Sequence, residues 1–142
     1  MIADTFDIDA AIITLLQSDA QLTALMPDGV WFGDARSGAT RFVMVSQIDH
    51  EDEAEFQDVA WELVIYQVKA VHQSTSPVDV KAAAKRFQAL LLTPHAIAPL
   101  NYALMTVRRR TRVRYTERDP ANADLRWQHG GAQYEVWVQP TA

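Results

Sequence analysis

The sequence of 142 residues contains no cysteine, only five glycines and six prolines, and no long run of apolar residues. Without cysteine the chain has no disulfide scaffold, no thiolate nucleophile and no cysteine-ligated zinc site. No apolar segment approaches the ~20 residues that a membrane-spanning helix needs. The segment Met1-Ile2-Ala3-Asp4 lacks the basic start and apolar centre of a secretion signal. We therefore expect a protein that is made in the cytosol and does not act in a membrane.

Charge is unevenly distributed along the chain, although the formal net charge is only −5. Residues 1–62 carry a net charge of −11, whereas residues 63–142 carry +6. Most of this difference comes from an acidic segment, residues 49–58, and an arginine-rich segment, residues 108–114. Such a distribution bears on how a protein associates with partners more than on how it folds.

Hydrophobic periodicity and turn residues predict the order helix, three strands, helix, two strands. The first helix covers 7–17, and a capping box from Ser18 to Gln21 opens a short second helical turn. Ser76-Pro77 predicts the start of the later helix, with Ser76 as its N-cap. The acidic segment is expected at a solvated hairpin tip. The predicted strands are 30–32, 41–48, 56–70 with an extension to Val71 or His72, 102–116, and 125–139 as one strand or two.

Strands that follow one another along the chain favour hairpins, and hairpins pair their strands antiparallel. The chain length corresponds to one domain. We therefore predict an α+β protein, a single domain over residues 1–142 with a mostly antiparallel sheet of about four to five strands packed against two main helices.

The arginine-rich segment is the strongest local signal of function. Because alternate residues of a strand share a face, its even-numbered arginines are predicted to form one stripe about 20 Å long, at ~3.3 Å per residue. The stripe is either a solvated face neutralised by acidic groups of the same chain or a surface for phosphates or an acidic partner. Its members are Arg108, Arg110, Arg112 and Arg114, and the residues expected to face the core are Met105, Val107, Thr111, Val113 and Tyr115.

The acidic segment is the natural counterpart of this stripe, within the chain or on an identical neighbour. Subunits with opposite charges on opposite sides stack head to tail into a ring or a filament. Trp137 shares the polar face of the last strand with Gln133 and Glu135, a position typical of an interface anchor. The carboxylates of the segment are Asp49, Glu51, Asp52, Glu53, Glu55 and Asp58.

Signals of catalysis are weak. His50 and its acidic neighbours have the composition of a hard-metal or general-base cluster, but no second histidine stands at ligand spacing. His129-Gly130-Gly131 is interpreted as a β-turn or bulge with a surface histidine. No serine lies in a nucleophile elbow, and no glycine-rich loop is suited to a phosphate. We predict no catalytic residue, no metal and no cofactor, and hence no enzyme.

Several segments together resemble a known family. They are the helix at 10–25, Gly29-Val30-Trp31, Arg41 to Val45, the strand from Trp61 to Val68, the helix containing Ala82-Ala83-Ala84 and Leu90-Leu91-Leu92, Arg108 to Tyr115, and Trp127 to Tyr134. In element order and apolar positions, roughly over residues 8–138, the chain resembles the tail-completion, or tail-terminator, proteins of long-tailed bacteriophages and gene transfer agents.

The resemblance implies a non-catalytic α+β subunit that forms a hexameric ring. Such a ring caps the finished tail tube and meets the head-tail connector or stopper protein, while DNA passes through its lumen without sequence-specific binding. The protein would then be made in a bacterial host's cytoplasm and reside in the tail or neck of a virion. Two alternatives remain: a neck head-completion or stopper protein, and a nucleic-acid-binding module that uses the arginine stripe. The negative net charge and the lack of interleaved aromatics weigh against the second.

Overall fold

A computed structural model of the chain describes residues 5–55 and 58–141, in which three helices and five strands are formed. The helices are α1 (Phe6–Gln17), α2 (Ala20–Leu25) and α3 (Val78–Leu91). The strands are β1 (Val30–Phe32), β2 (Arg41–Glu55), β3 (Asp58–Gln73), β4 (Tyr102–Arg118) and β5 (Arg126–Pro140). They form one mixed sheet in the order β1-β2-β3-β5-β4, in which only β1 and β2 run parallel. The predicted α+β fold with a mostly antiparallel sheet is confirmed.

The main core lies between the helices and one face of the sheet. Alternation along β3 points its even-numbered residues Val64 to Ala70 at the helices, and all of these are buried. From the other side α1 contributes Ile8, Ile12 and Leu16, at the spacing of one helical face. Phe87 of α3 is fully buried there as well. Burial of a side chain of this size stabilises the fold by ~1.5–3 kcal/mol.

The ends of the helices differ from the prediction by one residue. Asp19, not Ser18, caps α2, because its Oδ2 accepts the N–H of Leu22 at 2.9 Å. The hydroxyl of Ser18 instead donates to the carbonyl of Leu15. At α3 the cap position is Pro77, and Ser76 accepts the N–H of Val78 through its hydroxyl.

The second strand is longer than predicted and forms an arm with the third. Strand β2 continues through the acidic residues to Glu55 instead of ending at Ile48. Since β3 pairs with β5 only from Glu62 onwards, the hairpin beyond that point has no other neighbour in the sheet. We call residues 49–55 and 58–61 the acidic arm. The predicted strand start at Phe56 lies outside the described residues.

Strand β5 is a single strand, and its two adjacent glycines lie in its interior. The predicted turn or bulge at His129-Gly130-Gly131 is therefore wrong. A Cβ on Gly131 would lie 1.9 Å from the carbonyl oxygen of Val68, and one on Gly130 would lie 2.6 Å from Cγ1 of Val80. The two glycines thus allow β3 and α3 to approach β5 closely.

No helix within residues 5–55 and 58–141 is long and apolar enough to cross a membrane.

Candidate assembly interface

The register of β4 on β5 divides the arginines between the two faces of the sheet. Arg112 and Arg114 lie opposite Ala132 and Gly130, on the face that carries the helices, whereas Arg108 lies opposite Glu135 on the other face. A register irregularity between Arg109 and Thr111 leaves Arg110 as the extra residue. A bulge inserts one residue and so reverses the alternation beyond it. The predicted single stripe of Arg108, Arg110, Arg112 and Arg114 is wrong.

The residues expected to face the core are displaced for the same reason. Met105 stands at a second register irregularity and is 52% exposed, and Tyr115 is 41% exposed. Val107 is the exception, since it packs against the main core. As the edge strand, β4 pairs only with β5 among the described strands, and most of its side chains are open to solvent.

A groove with a basic rim runs between α3 and β4 on the helix-bearing face. Its volume is about 270 Å³. Lys81 and Lys85, one helical turn apart, line one wall, and Arg112 and Arg114 line the other. Among the described residues no carboxylate lines this groove, and none of the four cations has an ion-pair partner. We call it the cationic groove.

The floor of the cationic groove combines apolar side chains with the hydroxyl group of a tyrosine. Tyr134 is 1% exposed and lies on the floor with Val80 and Gly130. Burial raises the pKa of Tyr134 to about 12, against the opposing effect of the guanidinium groups of Arg109 and Arg112. Within residues 5–55 and 58–141 its hydroxyl has no hydrogen-bond partner. The hydroxyl reaches the solvent of the groove and is therefore available to water or to a bound group.

On the opposite face of the same strands, several polar side chains pair with one another. Glu117 lies 2.7 Å from Nε2 of His129, whose ring stacks on Tyr115 at 4.2 Å, and the ammonium group of Lys69 donates to the Tyr115 hydroxyl at 2.8 Å. His129 is 7% exposed, so the expected surface histidine is buried. Burial lowers the pKa of His129, and the hydrogen bond that its ring makes to the Glu117 carboxylate opposes this shift. Arg108 reaches Glu135 at 4.0 Å, a weak exposed pair.

The described part of the acidic arm presents two exposed carboxylates. Asp49 and Glu51 are exposed, and Asp49 accepts the backbone N–H of His50. His50 is half-buried, with Nε2 at 4.0 Å from Glu62. No group of three or more His, Asp or Glu within the described part of the chain is placed to hold a metal ion. The side chains of Asp52, Glu53, Glu55 and Asp58 lie outside the described residues.

The arm and the arginines of the same chain are kept apart by the strand order. Between β2 and β4 stand β3 and β5, so three strand spacings, roughly 14 Å, separate them. No ion pair among the described side chains joins the acidic segment to the arginine-rich segment. Among the described side chains, a carboxylate therefore lies near Arg108, namely Glu135, but none pairs with the arginines of the cationic groove.

Trp137 belongs to a half-buried aromatic pair on the sheet face away from the helices. Its ring centroid lies 4.8 Å from that of Trp61 at an interplanar angle of 53°. Its indole N–H donates to Glu135 at 3.2 Å. The pair leaves a partly exposed aromatic surface beside the base of the arm, and the role of Trp137 as an interface anchor stays a prediction.

Sequence reasoning singled out the acidic segment and the arginines but missed the cationic groove. Lys81 and Lys85 are visible as the polar side of the later helix, and Arg112 and Arg114 as part of an arginine-rich strand. The sequence does not indicate that α3 lies beside β4, because this position depends on the insertion of β5 between β3 and β4.

No family model and no curated protein matches the sequence. Among solved structures, the chain is similar to a chain of the structure titled "Virion of native gene transfer agent (GTA) particle". The TM-score is 0.76 at 18% sequence identity, and the alignment covers 98% of this chain and 99% of the other. The two chains therefore share an entire fold, from the first helix to the last strand.

Proposed function

We propose that this protein is a structural subunit of a phage or phage-like virion that forms a ring, capping the end of the tail tube and joining the tail to the head connector. The observation that carries the proposal is the shared fold over nearly the full length of both chains. A second support is the distribution of charge, since an acidic arm and a cationic groove at separate places suit contacts between identical subunits. The role is one of contact rather than catalysis.

The proposed partners follow from that role. The subunit would contact other copies of itself, as a hexamer, together with the tail tube protein and the head-tail connector or stopper protein. DNA would pass through the ring without sequence-specific contacts. The proposed location is the tail or neck of the virion, after synthesis in the cytoplasm of the bacterial host. The proposed interface residues are Asp49, Glu51, Asp52, Glu53, Glu55, Asp58, Arg108, Arg110, Arg112, Arg114 and Trp137.

Assembly on the tail tube is the direct test. The purified chain is mixed with tail tube protein from the same genome, and the products are examined by light scattering and negative-stain electron microscopy. The expected result is a ring at one end of each tube. Binding to the portal or connector without binding to the tube would indicate the stopper role instead. A chain that binds neither component and stays monomeric at high concentration would refute the proposal.

The cationic groove favours one second candidate, a nucleic-acid-binding module. Four cations that release four phosphate counterions would make log K for duplex DNA fall with log salt at a slope of roughly −3 to −4. The double variant Lys85→Glu/Arg112→Glu would then abolish binding. Absence of salt-dependent DNA binding by the intact protein removes this candidate.

A further inference from the structure

We propose that the cationic groove is the receptor for the acidic arm of a second copy of this chain. The inference rests on the proposed function, because it specifies how neighbouring subunits of the ring hold one another. Two separate features of the subunit carry it: a groove with four cations that have no ion-pair partner among the described residues, and an arm that presents the exposed carboxylates of Asp49 and Glu51.

The cationic groove is built to hold an anionic segment. Four cations on two facing walls repel one another, and nothing among the described residues neutralises them. A carboxylate placed between the walls would relieve that repulsion and form charge-assisted hydrogen bonds with the guanidinium groups of Arg112 and Arg114. The free hydroxyl of Tyr134 on the floor offers one further donor.

The arm of the same chain does not reach this groove. Glu51 lies opposite Leu63 of β3, whereas the groove residues Gly130 and Gly131 lie opposite Ala70 and Lys69. Six to seven residues along β3 correspond to ~20–23 Å, at ~3.3 Å per residue. Strand β2 also runs from the groove end of the sheet towards the arm, so the arm extends away from its own groove. The occupant must come from another subunit.

An identical subunit is favoured over DNA as the occupant. The net charge of −5 and the acidic arm repel a phosphate backbone from much of the surface. The arm presents Asp49 and Glu51, and the sequence adds Asp52, Glu53 and Glu55 in the same strand. Contact between an arm and a different surface on the next copy is heterologous, so it repeats from subunit to subunit until the rotation closes a ring.

Site-specific cross-linking tests this contact, since the chain has no cysteine of its own. In the variant Glu51→Cys/Lys85→Cys, one thiol stands on the arm and one at the groove. A short bis-maleimide is expected to produce a ladder of covalent oligomers that ends at the ring. The matched control is Glu51→Cys/Ala82→Cys, because Ala82 is exposed on the same helix but does not line the groove. The control is expected to remain monomeric on a denaturing gel.

Charge reversal gives an independent readout by sedimentation. The groove variant Lys85→Glu/Arg112→Glu and the arm variant Asp49→Lys/Glu51→Lys are each expected to lose self-association about tenfold or more, because like charges then meet. Mixing the two variants restores assembly, since each one's arm then complements the other's groove. Arg118→Glu, a charge reversal at an exposed position of β4 that does not line the groove, is the control and should associate like the parent.

The outcomes separate this inference from the proposed function. Rings that form on the tube without the Glu51–Lys85 cross-link, and that resist both charge reversals, would overturn the arm-in-groove contact and leave the ring role intact. A loss of salt-dependent DNA binding in the groove variant, with self-association unchanged, would assign the groove to nucleic acid and likewise overturn it. Failure to form rings or to bind the tube under any condition would overturn both.

Discussion

Arg86 of α3 binds both carboxylate oxygens of Asp19, with Nε donating to Oδ2 at 2.9 Å and Nη2 donating to Oδ1 at 2.6 Å. The same carboxylate accepts the N–H of Leu22 as the N-cap of α2. The side chain of Asp19 therefore caps the N-terminus of α2 and also holds α3 against it. The hydrogen bond from Arg86 is the main cause that lowers the pKa of Asp19.

This double role predicts a difference between two neighbouring substitutions. Asp19→Ala should lower the free energy of unfolding by about 1–2 kcal/mol through loss of the cap alone. Ser18→Ala should change it by less than about 0.5 kcal/mol, because Ser18 is exposed and does not cap the helix. Urea denaturation at pH 7 measures both. A larger loss for Ser18→Ala than for Asp19→Ala would mean that the cap belongs to Ser18, as the sequence pattern suggested.

The contribution of Asp19 should also depend on pH. Because its pKa is lowered in the folded state, its stabilisation is present above the unfolded value, about 3.9, and is lost as the pH falls through the folded pKa. In Asp19→Asn this loss between about pH 4 and the folded pKa should be absent. Denaturation midpoints of parent and variant should therefore converge as the pH is lowered through that range.

A second prediction concerns the close approach of β3 and β5. In Gly131→Ala the new Cβ would meet backbone atoms, the carbonyl oxygen of Val68 and Cα of Lys69 at 2.6 Å, which cannot move independently. We expect a loss of about 3 kcal/mol or more. Gly130→Ala meets a methyl group of Val80, which can shift, and should cost about 1–3 kcal/mol. Chemical denaturation of both variants measures the two losses in the free energy of unfolding. A larger loss for Gly130→Ala than for Gly131→Ala would contradict the prediction.

The buried pair of Tyr66 and Asp9 gives a third prediction. The Tyr66 hydroxyl donates to the Asp9 carboxylate inside the main core, and burial is the first cause that raises the pKa of Tyr66. Tyr66→Phe should lower the free energy of unfolding by about 1.5–3 kcal/mol, since it removes a hydrogen bond to a charged group. The double variant with Asp9→Asn should lose less than the sum of the two single changes. Additive losses in this double-mutant cycle would show that the two groups do not interact.

Sequence periodicity predicted the fold well because its signals were local. The apolar spacing of α1 and α3 and the β-rich strands each mark an element, and hairpin order then favours an antiparallel sheet. The faces of β4 were not predictable in the same way. Arg108, Arg109 and Arg110 carry no hydrophobic alternation, so the sequence contains no marker of the residue at which the bulge reverses the faces.

Tertiary contacts explain the remaining errors. Adjacent glycines indicate a turn locally, yet Gly130 and Gly131 are required where a helix and a strand press on β5. Asp19 displaces Ser18 as the cap because it also binds Arg86 from a distant helix. The acidic residues of β2 have low strand propensity individually, but pairing with β3 extends the hairpin through them.

The buried histidine beneath Tyr115 supplies the last prediction. Burial lowers the pKa of His129, the nearby ammonium group of Lys69 acts in the same direction, and Glu117 opposes both. The unfolded chain, with a histidine pKa of about 6.5, therefore binds the proton more readily than the folded protein does. The stabilisation is present above about pH 6.5 and is lost as the pH falls towards the folded pKa.

His129→Gln should remove the part of this pH dependence that His129 supplies. Burial also lowers the pKa of His72, which therefore contributes a pH dependence of the same sign, and this contribution would remain in the variant. Denaturant titrations from pH 7.5 to 5, paired with the NMR titration of His129, measure both quantities, and a His129 pKa above 6.5 would contradict the prediction.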